Sequence, residues 1–286
     1  MKRNNILKQK EIMLKNYIYI FTAIVILSFT RSTFSDSTTV ITQFRTQQNS
    51  AFTYGERLSF DVSYGFITAA EAFLTIAPSP YMYNGRPTYE VSLDVNSRPA
   101  MDAVYKVRDN YKTFIDEQGI FPWRFEQHIN ESDYKHNFEA TFIQESSKVY
   151  TKVEYKEDKS YRTNMEYVQD LISAFYFART LDWKGKNNGD IITTDYFYKD
   201  TFAPLKIRVE GREEVSVGAG TFKTIIVQPL LAEGFTSKTS DIYVYLSDDD
   251  RKIPVKVKMK IVIGALVAEL NDYKGVNGKL DARTGD

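Results

Sequence analysis

Hydrophobic and polar residues alternate with a period of two in at least six segments of this chain. The clearest are residues 58–64, 89–95, 123–128, 149–155, 242–246 and 255–261. Alternation over five to eight residues is typical of a strand with one buried face and one wetter face. Clusters such as Asn84–Pro87, Asn187–Asp190 and Ser247–Asp250 lie between the segments and are typical turn sequences. The pattern predicts a mainly β fold, a large antiparallel curved sheet or an open or half barrel.

One segment departs from this period. In Asp170–Trp183 the apolar residues recur at steps of three and four, and Asp170 can cap the first turn with its carboxylate. We expect one short helix here, packed on the sheet. No linker rich in Pro, Gly or Ser flanks it, so residues 52–275 are expected to form a single β-rich domain.

The first residues predict export. Lys2, Arg3, Lys8, Lys10 and Lys15 precede the uncharged run Tyr17–Phe29, and small residues follow. A basic segment, a short apolar segment and small residues describe a secretory signal peptide. We therefore expect a signal helix within residues 1–35, cleavage after Ser35 and a periplasmic location. The start codon could correspond to Met13 instead of Met1.

The apolar run is 13 residues long, whereas a membrane-spanning helix needs about 20. Cleavage is therefore favoured over an uncleaved anchor, and no stable transmembrane span is expected afterwards. The absence of cysteine excludes a lipid-anchored lipoprotein, a disulfide framework and thiolate chemistry. Residues 36–51 are polar and predict a flexible arm, and residues 276–286 predict a disordered C-terminal tail.

Without residues 1–35 the chain has 31 basic and 36 acidic residues, a net charge of −5. A mildly acidic chain with interspersed charges argues against nucleic acid as a partner. It also predicts no basic patch of the kind that holds proteins on anionic membranes.

Several short motifs recur in a characteristic order. They are Gly55–Gly65 (GERLSFDVSYG), Asp170–Arg179 (DLISAFYFAR), Gly218–Thr224 (GAGTFKT), Val244–Lys256 and Gly264–Leu270. In order and spacing this set resembles the bacterial family called domain of unknown function 3108, over about residues 52–274. The resemblance implies an exported, β-rich envelope protein without an established activity, and it supplies no catalytic residues. The expected open sheet is also similar to the lipoprotein-carrier folds of the periplasm, at the level of fold alone.

Catalytic and metal chemistry have little support. A three-residue turn at Glu131–Asp133 would place His128 and His136 opposite each other, but no spaced set of further ligands accompanies them. No nucleophile elbow occurs. Asp248, Asp249 and Asp250 are interpreted as a solvated turn, since three consecutive acids do not converge on one cation. Lys256, Lys258 and Lys260 indicate a solvent face or a protected edge, although contact with phosphate or lipid headgroups is an alternative. We expect no catalytic residue, no metal and no cofactor.

Aromatic residues make up 14% of the chain and are the more informative feature. A barrel with an apolar interior and a covering helix can enclose a ligand. The alternative is that the aromatics only fill the core and cover the sheet. The candidate ligand-lining residues are Phe175, Tyr176, Tyr196, Tyr198, Tyr243 and Tyr245.

Three functions follow from these observations. The leading hypothesis is a non-enzymatic periplasmic protein that binds an apolar or lipid-like ligand, or an envelope protein, on a concave face. The second is a structural or interaction module of the envelope without a ligand cavity. The third is an unrecognised hydrolase or metal enzyme, which requires His128 or His136 buried beside acids.

Overall fold

The computed structural model describes residues 43–154, 156–198, 200–230, 241–261 and 263–285. The predicted signal peptide, residues 1–35, lies outside the described residues. Two α-helices are present in this part of the chain, α1 at Pro99–Asp102 and α2 at Leu171–Thr180. Neither is long and apolar enough to cross a membrane.

The strands form one large antiparallel sheet that does not close on itself, as the alternation predicts. Their bounds are β1 Arg57–Tyr64, β2 Ile67–Ile76, β3 Tyr81–Tyr83, β4 Arg86–Ser97, β5 Arg108–Asp116, β6 Pro122–Glu131, β7 Tyr134–Ile143, β8 Lys148–Val153, β9 Lys159–Arg162, β10 Ile191–Tyr198, β11 Thr201–Val217, β12 Gly220–Leu230, β13 Ile242–Ser247, β14 Pro254–Lys260, β15 Ala265–Lys274 and β16 Arg283–Gly285.

The order across the sheet is β10-β11-β12-β13-β14-β15-β1-β2-β4-β5-β6-β7-β8-β9, with β3 added to β4 and β16 to β12. Most neighbours in this order are also neighbours along the chain. Apart from β2 beside β4 and β16 beside β12, the exception is the pairing of β1 with β15, through which the first and second halves of the domain share one sheet. Short connections and antiparallel pairing explain why most of this topology follows from turn signals.

The core consists of two apolar clusters with α2 between them. Ile172 and Tyr176 of α2 belong to the larger cluster, whereas Ala174 and Ala178 belong to the smaller one. Alternating strand residues fill the larger cluster, among them Leu58, Val91, Phe142 and Leu270. The predicted helix is thus present, with Asp170 as its N-cap and its last helical residue at Thr180. The four-residue helix α1 was not predicted.

The C-terminal residues 276–285 differ from the predicted disordered tail. Leu280 and Ala282 are buried, the amide of Lys223 donates to the carbonyl of Ala282, and β16 pairs with β12. Burial of Leu280 stabilises an otherwise polar segment. The prediction of disorder used the overall polar composition, which a single leucine hardly changes.

Residues 43–51 also differ from the predicted flexible arm, while residues 36–42 lie outside the described part. The Arg45 guanidinium donates to the carbonyls of Gly119 and Ile120 at 2.7 Å each, and its Cζ lies 4.7 Å from the ring centroid of Tyr167. Ala51 is buried. Polar side chains in this segment hydrogen bond to backbone carbonyls of the domain. From the sequence alone, such side chains cannot be told apart from polar side chains that are bound only by water.

Candidate functional site

The two ends of the sheet, β9 and β10, meet along a seam. No ladder joins these strands in the described structure, but side chains of β9 touch β10 and the turn that follows it. The Nζ of Lys159 lies 2.9 Å from Oδ2 of Asp200, and the rings of Tyr161 and Phe197 have centroids 5.4 Å apart. Gln169, just before α2, forms a single parallel bridge to Tyr196. Side chains alone therefore join β9 to β10, while Gln169 bonds to the backbone of β10, and the seam leaves an opening.

A cavity of about 150 Å³ lies at this opening. Apolar side chains from β6, β7, β8 and β10 form its walls, and charged side chains from the turns stand around it. The wall residues are Phe125, Phe138, Ala140, Phe142, Val153, Phe197 and Tyr198.

One small residue, Ala140, stands among the aromatic residues of the walls. Phe138, Ala140 and Phe142 project to the same side of β7 because side chains alternate along a strand, and all three line the cavity. Ala140 is directly opposite Phe125 of β6 and Thr151 of β8. An alanine among phenylalanines leaves room that a larger residue would fill.

The floor carries Asp170, the N-cap of α2. Its Oδ1 accepts from the amides of Ile172 and Ser173 at 2.8 Å each, and its Oδ2 accepts from the Thr113 hydroxyl at 2.6 Å. Burial raises the pKa of Asp170 to about 6 despite these hydrogen bonds, which oppose the rise. The floor is thus a weakly acidic carboxyl group fixed by the helix that it caps.

Both signs of charge occur at the mouth. Lys156, Glu157, Lys159 and Asp200 line it, together with His136. Desolvation and the nearby Lys156 lower the pKa of His136. The mouth of the cavity thus carries a neutral imidazole beside charged groups of both signs.

Two further buried acids lie where β5 begins and β6 ends. Asp109 and Glu131 are 4% and 2% exposed, and their carboxyl groups hydrogen bond to each other. The Tyr105 hydroxyl donates to Oε2 of Glu131 at 2.8 Å, and the Asn130 amide donates to Oδ1 of Asp109 at 2.9 Å. Burial raises the pKa of both, that of Glu131 to about 8. Glu131 therefore holds a proton at neutral pH.

Of the six candidate ligand-lining residues, Tyr198 lines the cavity. Tyr176 and Tyr196 are fully buried in the two core clusters, and Phe175 packs against both clusters. Tyr245 packs against the larger cluster, and Tyr243 lies beside Lys260, whose Nζ is 4.9 Å from its ring centroid. The structure does not bring the six together, and ligand binding by them stays a prediction.

Four phenylalanines of the wall were missed as a set: Phe125, Phe138, Phe142 and Phe197. The available signal was their position on the apolar face of alternating segments. Residues of a filled core occupy the same face, so this pattern does not distinguish the wall of a cavity from a fully packed interior.

The two histidines are not opposite each other, contrary to the prediction. The turn between β6 and β7 has two residues, Ser132 and Asp133, and Ser132 adopts a left-handed φ of 44°. His128 therefore pairs with Asn137, and His136 pairs with Ile129. A register change of one residue turns side chains to opposite faces, which separates the imidazoles.

Acidic and basic clusters have structural partners. Asp249 accepts from the amides of Arg251, Lys252 and Ala282, as expected of a turn. It also lines a second cavity of about 220 Å³. Lys256 pairs with Glu269 at 2.7 Å. In the described ranges no three His, Asp or Glu side chains are grouped as a metal site would require.

Comparison with known proteins agrees with this architecture. The family described as protein of unknown function (DUF3108) matches residues 59–271. The β-barrel-like protein of domain of unknown function DUF1849 from Brucella abortus superposes with a TM-score of 0.54 at 11% identity, covering 78% of this chain and 98% of that one. At this identity the likeness concerns the fold alone.

Two further solved structures are less similar. A candidate lipoprotein of Parabacteroides distasonis has a TM-score of 0.34 and 10% identity, covering 81% of this chain and all of that one. A candidate exported protein with a YmcC-like fold from Bacteroides fragilis has a TM-score of 0.30 and 13% identity, covering 80% of this chain and all of that one. Neither adds to the fold assignment. No curated protein sequence matches the chain.

Proposed function

The chain belongs to the DUF3108 family of proteins of unknown function, and from that premise we propose that it binds one apolar group of a lipid-like ligand in the seam cavity. The observation that carries this proposal is the aromatic-walled opening between β7, β8 and β10. An apolar concave site with a few polar groups at its mouth is the usual form of a small-molecule site.

The cavity size limits the ligand. A cavity of about 150 Å³ lined by apolar side chains accepts a molecule the size of benzene. The seam cavity has a similar volume, so it fits one ring or the end of one acyl chain. The remainder of the ligand would lie at the mouth, beside Lys156, Lys159 and Asp200.

The proposed setting is the periplasm. The basic segment and the short apolar run before Ser35 support export. A protein there meets amphiphiles released from the membranes on either side, and none of the proposed roles requires catalysis.

A second function is favoured by one observation, the open seam itself. In the described structure β9 pairs with β8 alone, so its other edge is not in a ladder. An extended peptide of an envelope protein could add to such an edge. This alternative needs no ligand in the cavity.

Filling the cavity tests the first proposal. Ala140→Leu adds three carbon atoms at a wall position that is 1% exposed, whereas Ala103→Leu adds the same atoms at an exposed position. We expect dodecanoate to bind the unaltered protein and Ala103→Leu alike, and Ala140→Leu roughly tenfold more weakly, because the occupied volume is no longer available. Isothermal titration calorimetry measures the three affinities, and urea unfolding shows whether each variant is folded.

Two results would refute ligand binding in the cavity. One is no binding of dodecanoate to the unaltered protein, together with no co-purifying lipid in native mass spectrometry. The other is equal affinity in a folded Ala140→Leu variant, which would place the ligand elsewhere.

A further inference from the structure

One end of the barrel-like sheet presents large apolar side chains to solvent. Phe66, in the turn between β1 and β2, is 97% exposed, and the adjoining Ile67 is 47% exposed. Ile263, in the turn between β14 and β15, is 52% exposed. Single exposed apolar residues are common, but adjacent ones mark an interaction surface. These three residues are named here the apolar tip.

The two turns lie side by side because β1 pairs with β15. Tyr64 is opposite Leu266 in that ladder, and its hydroxyl donates to the carbonyl of Ile263 at 3.0 Å. Gly264 has a φ of +87°, and a Cβ there would lie 3.3 Å from the Tyr64 ring. Close packing of Tyr64 against the second turn fixes the position of the two turns relative to each other.

Two lysines lie behind the apolar tip, and one of them has an acidic partner. Residues 62–70 and 258–268 contain Lys258 and Lys260 and no Asp or Glu. Lys260 forms an exposed ion pair with Asp241, with an Nζ–Oδ2 distance of 3.8 Å, whereas Lys258 lies one strand step further back. Apolar side chains with lysines behind them are typical of protein surfaces that enter the interface of an anionic bilayer.

The shape of the apolar tip favours a bilayer over a protein. A stable protein interface buries about 800 Å² on each partner, and three side chains that protrude from two turns offer much less. A convex apolar surface can instead enter the headgroup region, where no complementary pocket is needed.

We propose that the apolar tip docks this protein on the surface of an anionic phospholipid bilayer, with Phe66, Ile67 and Ile263 inserted at the interface and Lys258 and Lys260 near the headgroups. The turn residues at the mouth of the seam cavity, Lys156 and Asp200, lie at the same end, because antiparallel strands return every second turn to it. A docked protein would thus direct its cavity toward the lipid. The docking surface does not depend on a ligand in the cavity.

A tryptophan reporter tests insertion directly. Phe66→Trp places an indole at a position without packing constraints, and the two native tryptophans, Trp123 and Trp183, are 0% and 2% exposed. We use the exported protein recovered from the periplasm of an expressing bacterium, and vesicles of phosphatidylethanolamine and phosphatidylglycerol. We expect the emission of the introduced indole to shift to shorter wavelength and to be quenched by brominated lipid, because the ring leaves water.

Matched variants measure the affinity. Phe66→Ser with Ile263→Ser removes two side chains of the apolar tip, and Met82→Ser with Ile191→Ser removes two apolar side chains, 57% and 50% exposed, elsewhere on the surface. We expect vesicle co-sedimentation to weaken roughly tenfold in the first pair and to stay unchanged in the second, because each apolar side chain contributes to partitioning. The cavity variant Ala140→Leu should bind vesicles normally.

Three results would overturn membrane docking. They are an unshifted emission of the Phe66→Trp variant in the presence of vesicles, equal loss in the two double variants, and self-association in ultracentrifugation that Phe66→Ser abolishes. The last result would assign the apolar tip to a second copy of the chain. Loss of dodecanoate binding alone would not affect this proposal.

Discussion

At the scale of single residues, burial decides chemistry that the residue type does not reveal. Asp109 and Glu131 look like ordinary strand acids in the sequence, yet they share a hydrogen bond inside the domain. The six aromatic candidates are a similar case. Tyr196 and Tyr198 lie two residues apart on β10, but the first is in the core and the second lines the cavity.

The acid pair predicts a pH dependence of stability. The pKa of Glu131 is about 8 in the folded protein against an ordinary value of 4.5, so the folded state binds more protons than the unfolded state between these values. The stability that the protonated pair contributes is therefore complete below about pH 4.5 and is lost as the pH rises through 8.

Urea unfolding above pH 6.5 reports mainly this effect, since Asp170 with a pKa near 6 and His136, with an ordinary pKa of 6.5 that the fold lowers, titrate mostly below that range. We expect the free energy of unfolding to fall from pH 6.5 to 8. Glu131→Gln should flatten the decline, because an amide can donate to Asp109 at every pH. An unchanged slope in that variant would show that Glu131 is already ionised at neutral pH.

At the scale of elements, the first residue of a helix can be predicted from the sequence where a local side-chain hydrogen bond fixes it. Asp170 caps α2 as predicted, and the Ser173 hydroxyl accepts from the Asp170 amide at 2.9 Å, which completes a capping box. The turn between β6 and β7 is the counterexample. Its length differs from the predicted one by a single residue, and that difference moved His128 and His136 to opposite faces.

The cap gives a second prediction. Asp170→Ala should lower the free energy of unfolding by about 1–2 kcal/mol, because the amides of Ile172 and Ser173 lose their acceptor. Asp170→Asn should cost much less, since asparagine is an equally good N-cap. Urea unfolding compares the two variants. Equal losses would mean that the charge of Asp170, and not its role as an acceptor, stabilises α2.

At the scale of the whole molecule, one buried ion pair joins distant parts of the chain. Arg179 of α2 binds both carboxylate oxygens of Glu56, at 2.6 and 2.8 Å, and both side chains are fully buried. The same guanidinium donates to the carbonyls of Ala51 and Arg251. The helix, the N-terminal segment and the turn before β14 thus meet at one cation.

Breaking that pair is the third prediction. Arg179→Met or Glu56→Met alone should cost about 3–5 kcal/mol, because a buried charge loses its partner. The double variant should lose less than the sum, and Lys184→Met, in a pair with Asp250 that is largely exposed, should change stability by about 0.5 kcal/mol or less. A double-mutant cycle in urea measures the coupling, and additive losses would contradict it.

The sequence by itself determined the mainly β class, six of the strand segments, the helix that begins after Asp170 and the family, because alternation, caps and turns are local properties of the chain. Only the tertiary structure decided the register of the histidine hairpin, the ordered C-terminal segment and the cavity beside Ala140. It also decided that the turns carrying Phe66 and Ile263 lie together, since they are about 200 residues apart. These features depend on which distant segments pair, and pairing follows from the packing of the whole sheet.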